Sequence, residues 1–390
     1  MASVTTTNVG SQVVHTESFM GVQGNKEILS IQYLRALAAL SVVVHHASIA
    51  LLPNSQSLVP FQAGAAGVDL FFVISGFIMY YTTARRAVLP TDFYLRRLIR
   101  IFPLYFTAST LAFLIARVAP GLVRTFSPNP YDYLRSILFI PYYNTTTKAE
   151  HWIVPLVRPE VGQGWTLNYE IFFYLLFGLC LAMPRRFRTQ SLIAVLLLLT
   201  TLGILFKPAG AILATYTDPL LLEFLLGIAL GHFLIHNVRT SLKLSGSLLL
   251  ILGAAASVIV QFYDPHLLPR VIGYGLPAAG VVGAALWLER AKLVPRWPFL
   301  LLLGDASYSL YILHGFVLAT FRRACAQFFN VNLVTTHIVF IIVSALAAEA
   351  IGILVFKYAE RPVTTALTAA LRRKKEGRKN SATPASEIAS

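Results

Sequence analysis

Ten apolar stretches, most of them close to the length a helix needs to cross a lipid bilayer, constrain this chain more than any other feature. They cover 31–52, 65–83, 101–119, 166–183, 191–206, 219–236, 245–263, 271–289, 299–320 and 336–357. About 20 consecutive apolar residues span a bilayer core, and only helices and closed barrels satisfy every backbone group there. The pattern predicts an all-α polytopic membrane protein of about ten transmembrane helices. Composition points the same way, since 56% of the residues are hydrophobic and 13% charged, against roughly 25% charged in soluble chains. Disorder over the whole chain and a secreted disulfide scaffold are excluded; the two cysteines, Cys180 and Cys325, sit in or beside apolar runs.

The net charge of +15 is explained by placement. With the N-terminus cytoplasmic, the inner segments and their flanks carry most of the 32 Lys and Arg, as inner loops of membrane proteins do. Both termini are then expected in the cytoplasm of a bacterial cell, with the chain multi-pass in the inner membrane, in contact with lipid and needing no nucleic acid partner. Residues 1–27 read as a disordered polar tail with no basic-then-apolar leader. Residues 28–363 form the membrane domain, and the basic segment 364–390 reads as a disordered tail. The longest loop, 120–165, is expected as an ordered outer cap.

Ionisable groups inside a bilayer are costly and are functional hypotheses by default. In "YLRALAALSVVVHHA", Arg35 and His46 are eleven residues apart, about three helical turns and 16 Å of rise, so one helix face carries both; His45 points about 100° away. Counting rise from the span ends puts His46 and His314 about 22 Å from the inner face, with Asp69 and Glu170 about 6 to 8 Å below the outer one. In a core about 30 Å thick these four share a layer, where a carboxylate on one imidazole nitrogen would leave the other to take a proton. The bland alternative is a structural carboxylate network.

Arg96, Arg97 and Arg100 in "FYLRRLIRIFPLYF" either set topology or, with Arg35, bind phosphate. Trp165 in "GQGWTLNYE" marks an interface. Tyr308, Tyr311 and His314, at i, i+3 and i+6, line one polar strip. Glu223, His232 and Glu349 read as structural partners. The chain lacks a phosphate-binding Gly-rich loop with a Lys, a Gly-x-Ser-x-Gly elbow and a His-Glu-x-x-His pair, so no metal is expected.

Taken in order, "LRALAALSVVVHHA", "GVDLFFVISGF", "FYLRRLIRIFPLYF", "GWTLNYEIFFY", "LGDASYSLYILHG" and "ERP" resemble the acyltransferase-3 family of bacterial membrane O-acyltransferases, above all its exopolysaccharide O-acetyltransferases of the succinoglycan type. The resemblance implies transfer of an acyl group, usually acetyl from acetyl-coenzyme A, to a hydroxyl of a cell-surface or exopolysaccharide sugar. The family's Arg, ten residues, His pattern falls on Arg35 and His46 and selects His46 over His45. Its basic cluster falls on Arg96, Arg97 and Arg100.

With the resemblance in place, His46, Asp69 and Glu170 are expected to be catalytic. Arg35, Arg96, Arg97 and Arg100 would hold the donor, and Trp165, Tyr308, Tyr311 and His314 the acceptor. His46 would act as general base or as acyl relay. The carbohydrate acceptor would be a lipid-linked unit or a growing chain, met in company with polysaccharide assembly machinery. The second reading is a proton-coupled transporter or flippase for a polar solute or saccharide; paired broken helices are its missing signature.

Overall fold

A computed structural model describes residues 28–51, 58–84, 87–119, 129–143, 161–236 and 269–382, with isolated positions at 248, 252, 253 and 255. It is a helical bundle with no β-strand among the described residues. The helices are α1 (Leu29–Ser48), α2 (Ala66–Thr83), α3 (Pro90–Val118), α4 (Pro130–Ile137), α5 (Gly164–Leu181), α6 (Arg185–Phe206), α7 (Ala211–Tyr216), α8 (Leu221–His236), α9 (Leu276–Arg290), α10 (Pro298–Phe328), α11 (Val334–Val355) and α12 (Arg361–Ala382). A π-helical turn, Val271–Gly275, precedes α9, and a second, Phe356–Glu360, joins α11 to α12.

Eight helical stretches are long and apolar enough to cross a membrane: 62–83, 90–118, 164–181, 185–206, 211–236, 271–290, 298–328 and 334–375. They correspond to eight of the ten apolar stretches. The first stretch, 31–52, is helical as α1, but Gln32, Arg35, His45 and His46 leave it too polar to be counted by composition. The stretch 245–263 lies almost wholly outside the described residues, as do most of the loop 120–165 and residues 1–27.

Helix ends follow local chemistry. Pro90 and Pro298 open α3 and α10, where a missing N–H costs nothing and φ is already helical. The α1 N-terminus borrows its cap from α9: Leu29 and Ser30 N–H donate to the Glu289 carboxylate at 3.2 and 2.8 Å. That satisfies two of the orphan donors of a helix start and puts negative charge at the positive dipole end. The segment from 364, expected as a disordered tail, continues as helix to Ala382. Its "TALTAALRRKK" run is rich in good helix formers, and Lys375 is ion-paired to Asp92 at the start of α3.

The bundle centre is made by α1, α2, α8 and α10. Their close approach depends on glycine: a Cβ on Gly227 would lie 2.0 Å from the Val73 carbonyl oxygen, and one on Gly76 2.1 Å from that of Phe224. Helices in lipid associate through such small-residue contacts. Gly227→Ala is therefore expected to lower the thermal midpoint of the purified protein, with an overpacking cost of about 1–3 kcal/mol. An unchanged midpoint would show that α2 and α8 can separate freely. On the perimeter, Leu197, Leu198 and Leu205 of α6 and Val339, Ile342 and Leu346 of α11 are exposed, an apolar rim that suits acyl chains and not water.

Candidate functional site

A cavity of about 340 Å³ runs between α1, α2, α3, α5, α10 and α12. Helix phase explains which residues reach it: on α2, Val68, Phe71, Phe72, Ser75, Ile78, Met79 and Thr82 recur at helical spacing along one apolar stripe. The lining carries six cationic side chains, Arg35, Arg96, Arg97, Arg100, Arg372 and Lys375, and one carboxylate, Glu170. Clefts of one sign with low-dielectric walls focus the field and concentrate counter-ions. Seven of the eleven residues singled out from the sequence line this cavity: Arg35, Arg96, Arg97, Arg100, Glu170, Tyr308 and Tyr311.

The arginines are held in different ways. Arg35 donates to Gln32 Oε1 at 2.9 Å, and Gln32 Nε2 donates to Asp305 Oδ1 at 3.0 Å. Arg97 lies 5.8 Å from the Phe93 ring centroid and 5.7 Å from that of Tyr174. Arg100 is ion-paired with buried Glu360 and lies 5.2 Å from the Tyr308 ring. Glu360 also accepts from Ser309 Oγ. Part of the charge of the expected anion-binding cluster is thus already balanced from within the wall.

At its far end the cavity meets Thr166 and Tyr311, whose hydroxyls lie 2.9 Å apart. Just beyond, the His314 ring stands 6.0 Å from that of Tyr311. His46 Nδ1 lies 2.9 Å from His314 Nε2, with the ring planes 11° from parallel and the centroids 5.1 Å apart. The two imidazoles are therefore brought together, as their equal depth suggested, although neither is part of the lining. His314 Nδ1 faces the Leu310 carbonyl at 3.3 Å, and Gln163 Nε2 lies 3.0 Å from His314 Nε2. A carbonyl only accepts, so His314 carries its proton on Nδ1 and accepts at Nε2. His46 then donates from Nδ1, and its lone pair resides on Nε2, the nitrogen able to take a proton. His45 is tied to the Phe61 carbonyl at 2.9 Å, so the two neighbouring histidines serve different contacts.

The carboxylates face groups other than the imidazoles. Asp69 is fully buried and faces Arg270 in a bidentate pair, Nε–Oδ1 3.0 Å and Nη2–Oδ2 2.9 Å. A full cation with fork geometry satisfies a buried carboxylate better than a neutral ring. Burial by itself would lower the Arg270 pKa, and Asp69, together with Glu223 and Tyr274, more than offsets this, raising it above the ordinary guanidinium value. Trp165 belongs to this cluster, with its ring 5.9 Å from the Arg270 guanidinium, and does not line the cavity. Glu170 accepts from Ser75 Oγ at 3.2 Å and from Tyr174 OH. It follows Gln163 by seven residues, about 10 Å further along α5, which carries it away from His314 and toward the arginines. Neither acid is hydrogen-bonded to an imidazole in the contacts described.

Sequence reasoning missed Gln163, Arg270, Glu360, Arg372 and Lys375. Gln163 and Glu360 lay inside quoted motifs without a role. Arg270 precedes one π-helical turn and Glu360 closes the other; such turns re-aim side chains and leave no composition signal. No group of three or more metal-ligating side chains occurs among the described residues.

Comparison with known proteins gives this geometry a context. Residues 28–353 match the family described as an acyltransferase domain. The exopolysaccharide production protein ExoZ of Rhizobium meliloti is 34% identical over 305 residues, 78% of this chain and 90% of that one. The O-acetyltransferase OatA of Staphylococcus aureus is 25% identical over 362 residues, 85% of this chain; the match spans 56% of that relative's length. No solved structure matches the chain.

Proposed function

The chain belongs to the acyltransferase-3 family and is an acyltransferase, and from that premise we propose that it moves an acetyl group from acetyl-coenzyme A to a hydroxyl of a cell-surface or exopolysaccharide sugar. The observation that carries this reading is a cavity with cations at one end and, past Tyr311, a hydrogen-bonded imidazole pair at the other. The slender acyl-bearing arm enters, and the phosphates stay among Arg96, Arg97 and their neighbours, where charge-assisted hydrogen bonds favour them.

His46 Nε2 takes the proton of the sugar hydroxyl as its oxygen attacks the thioester carbonyl. The C–O bond forms, the C–S bond breaks, and the proton passes on to the departing thiolate. His314 is a positioning residue that fixes the His46 tautomer, with Gln163 holding His314 in turn. The acyl-relay route uses the same nitrogen as nucleophile. Asp69 and Trp165 act through Arg270 as the scaffold of an acceptor-side wall and not as catalytic or acceptor-binding groups. Glu170, with Tyr174, orders the cavity wall.

The polar α1 is read as a membrane span alongside the eight apolar ones, with 245–263 as the tenth, both termini cytoplasmic and the cation-lined mouth facing the cytosol of a cell whose inner membrane holds the protein. The acceptor, lipid-linked or growing, is read as coming from polysaccharide assembly. The names of the relatives support this reading, one concerned with exopolysaccharide production and one an O-acetyltransferase.

The test uses purified protein with radiolabelled acetyl-coenzyme A and the host's deacetylated polysaccharide. Label transferred to glycan is expected, and label that never leaves the donor refutes the reading. Arg35→Ala is expected to weaken the donor side most, raising KM for acetyl-coenzyme A by about tenfold or more, since a hydrogen bond to a charged group contributes roughly 1.5–3 kcal/mol. An unchanged KM would remove Arg35 from the donor site.

A further inference from the structure

The C-terminal helix α12 (Arg361–Ala382) lies beyond residues 28–353, which match the family, yet it forms part of the cavity wall. Thr368, Leu371, Arg372 and Lys375 all line it. Their spacing, i, i+3, i+4 and i+7, is that of one helix face, so α12 presents a continuous stripe and not a chance contact. Two ion pairs hold it there: Glu360, just before its start, with Arg100, and Lys375 with Asp92. Because the residue numbers run in opposite senses, α12 lies antiparallel to α3.

From the Lys375–Asp92 joint, Arg372 stands about one turn back along α12 and Arg96 about one turn forward along α3. Both line the cavity. Lys375 has a carboxylate partner and serves to hold the helix. Arg372 contributes a fifth guanidinium to the lining, from a helix other than those of Arg35, Arg96, Arg97 and Arg100, and this planar fork suits phosphate oxygens better than an ammonium does.

We propose that Arg372 is a ligand for the phosphate groups of the acyl donor, so that the C-terminal helix completes a phosphate site that the family domain builds from α1 and α3. The inference rests on the reading of this cavity as the donor site. The chemistry it names, phosphate oxygens, is shared by a nucleotide thioester and by anionic lipid headgroups, and the experiment separates the two.

Full-length wild type, Arg372→Gln and Arg372→Lys are purified into nanodiscs, one set of phosphatidylcholine and one containing phosphatidylglycerol. Transfer is measured with acetyl-coenzyme A and with acetyl-pantetheine, which has the same thioester and no phosphate. In both lipids Arg372→Gln is expected to raise KM for acetyl-coenzyme A about tenfold, the loss of one charge-assisted hydrogen bond. Arg372→Lys is expected to recover part of this, and KM for acetyl-pantetheine to stay level across all three proteins, which also shows that the variants are folded.

An unchanged KM for acetyl-coenzyme A in an active Arg372→Gln protein overturns the proposal and leaves the donor reading standing. A shift confined to the phosphatidylglycerol discs overturns it too, by assigning Arg372 to a headgroup. An equal rise with both donors shows a structural role and overturns it as well. Wild type that uses neither donor brings down the donor reading, and this inference with it.

Discussion

His46→Ala is expected to lower kcat for acetyl transfer by about a thousandfold, the middle of the range that a positioned acid–base group contributes, while acetyl-coenzyme A still binds. The size of the effect follows from the hydrogen-bond chain. His314 is held by the Leu310 carbonyl and Gln163, and it fixes the proton of His46 on Nδ1, leaving the Nε2 lone pair as the base. Removing His314 instead leaves the base in place with a freer tautomer, so His314→Ala should cost less and should broaden the pH profile of kcat. The measurements are single-turnover transfer rates with matched donor occupancy. A His46→Ala protein that transfers at the wild-type rate sinks the assignment, whereas label trapped on the wild-type protein without acceptor would choose the relay route over direct attack.

The second large effect concerns stability. Arg270→Met removes the partner of a carboxylate that has no solvent exposure, in a pocket that also holds buried Glu223. Breaking a buried pair from one side costs about 3–5 kcal/mol, because the remaining charge stays desolvated. The variant should lose most of its folded yield in mild detergent. The double variant Asp69→Asn with Arg270→Met should recover much of it, since neither member is then left as a lone buried charge. Failure of the double variant to recover any yield would mean that Arg270 acts through Trp165 and Tyr274, whose rings lie 5.9 and 5.3 Å from its guanidinium, more than through Asp69. If Asp69→Asn alone folds normally yet abolishes transfer, Asp69 returns to the catalytic group.

These two cases mark how far the sequence could be read. Periodicity is local, so the eleven-residue spacing put Arg35 and His46 on one face, and counting rise brought His46 and His314 to one depth; both are found on the α1–α10 contact. Depth says nothing about direction around the bundle. Asp69 and Glu170 therefore looked like partners of the imidazoles, although Asp69 turns to Arg270 and Glu170 to Ser75 and Tyr174. Arg270 stands 201 residues from Asp69, and the π-helical turn next to it has no signature in residue type. The segment after 364 reads as a solvated tail because it is basic, and what orders it is a pair of contacts with α3, one of them 260 residues away in sequence. The polar content that flagged α1 as functional is also what keeps it from registering as an apolar span.

That polar content has a consequence for biogenesis. α1 is made first, with Gln32, Arg35 and His46 exposed on one side, whereas Asp305 and His314, which receive Gln32 and His46, lie 273 and 268 residues downstream. Its N-terminal cap, Glu289, also emerges some 260 residues later. During synthesis the leading helix has none of these partners, so its final seat forms only after α10 has left the ribosome. Assembly of the bundle is thus a late event that waits for the far end of the polypeptide, and truncations before residue 314 should leave the first helix exposed to membrane quality control.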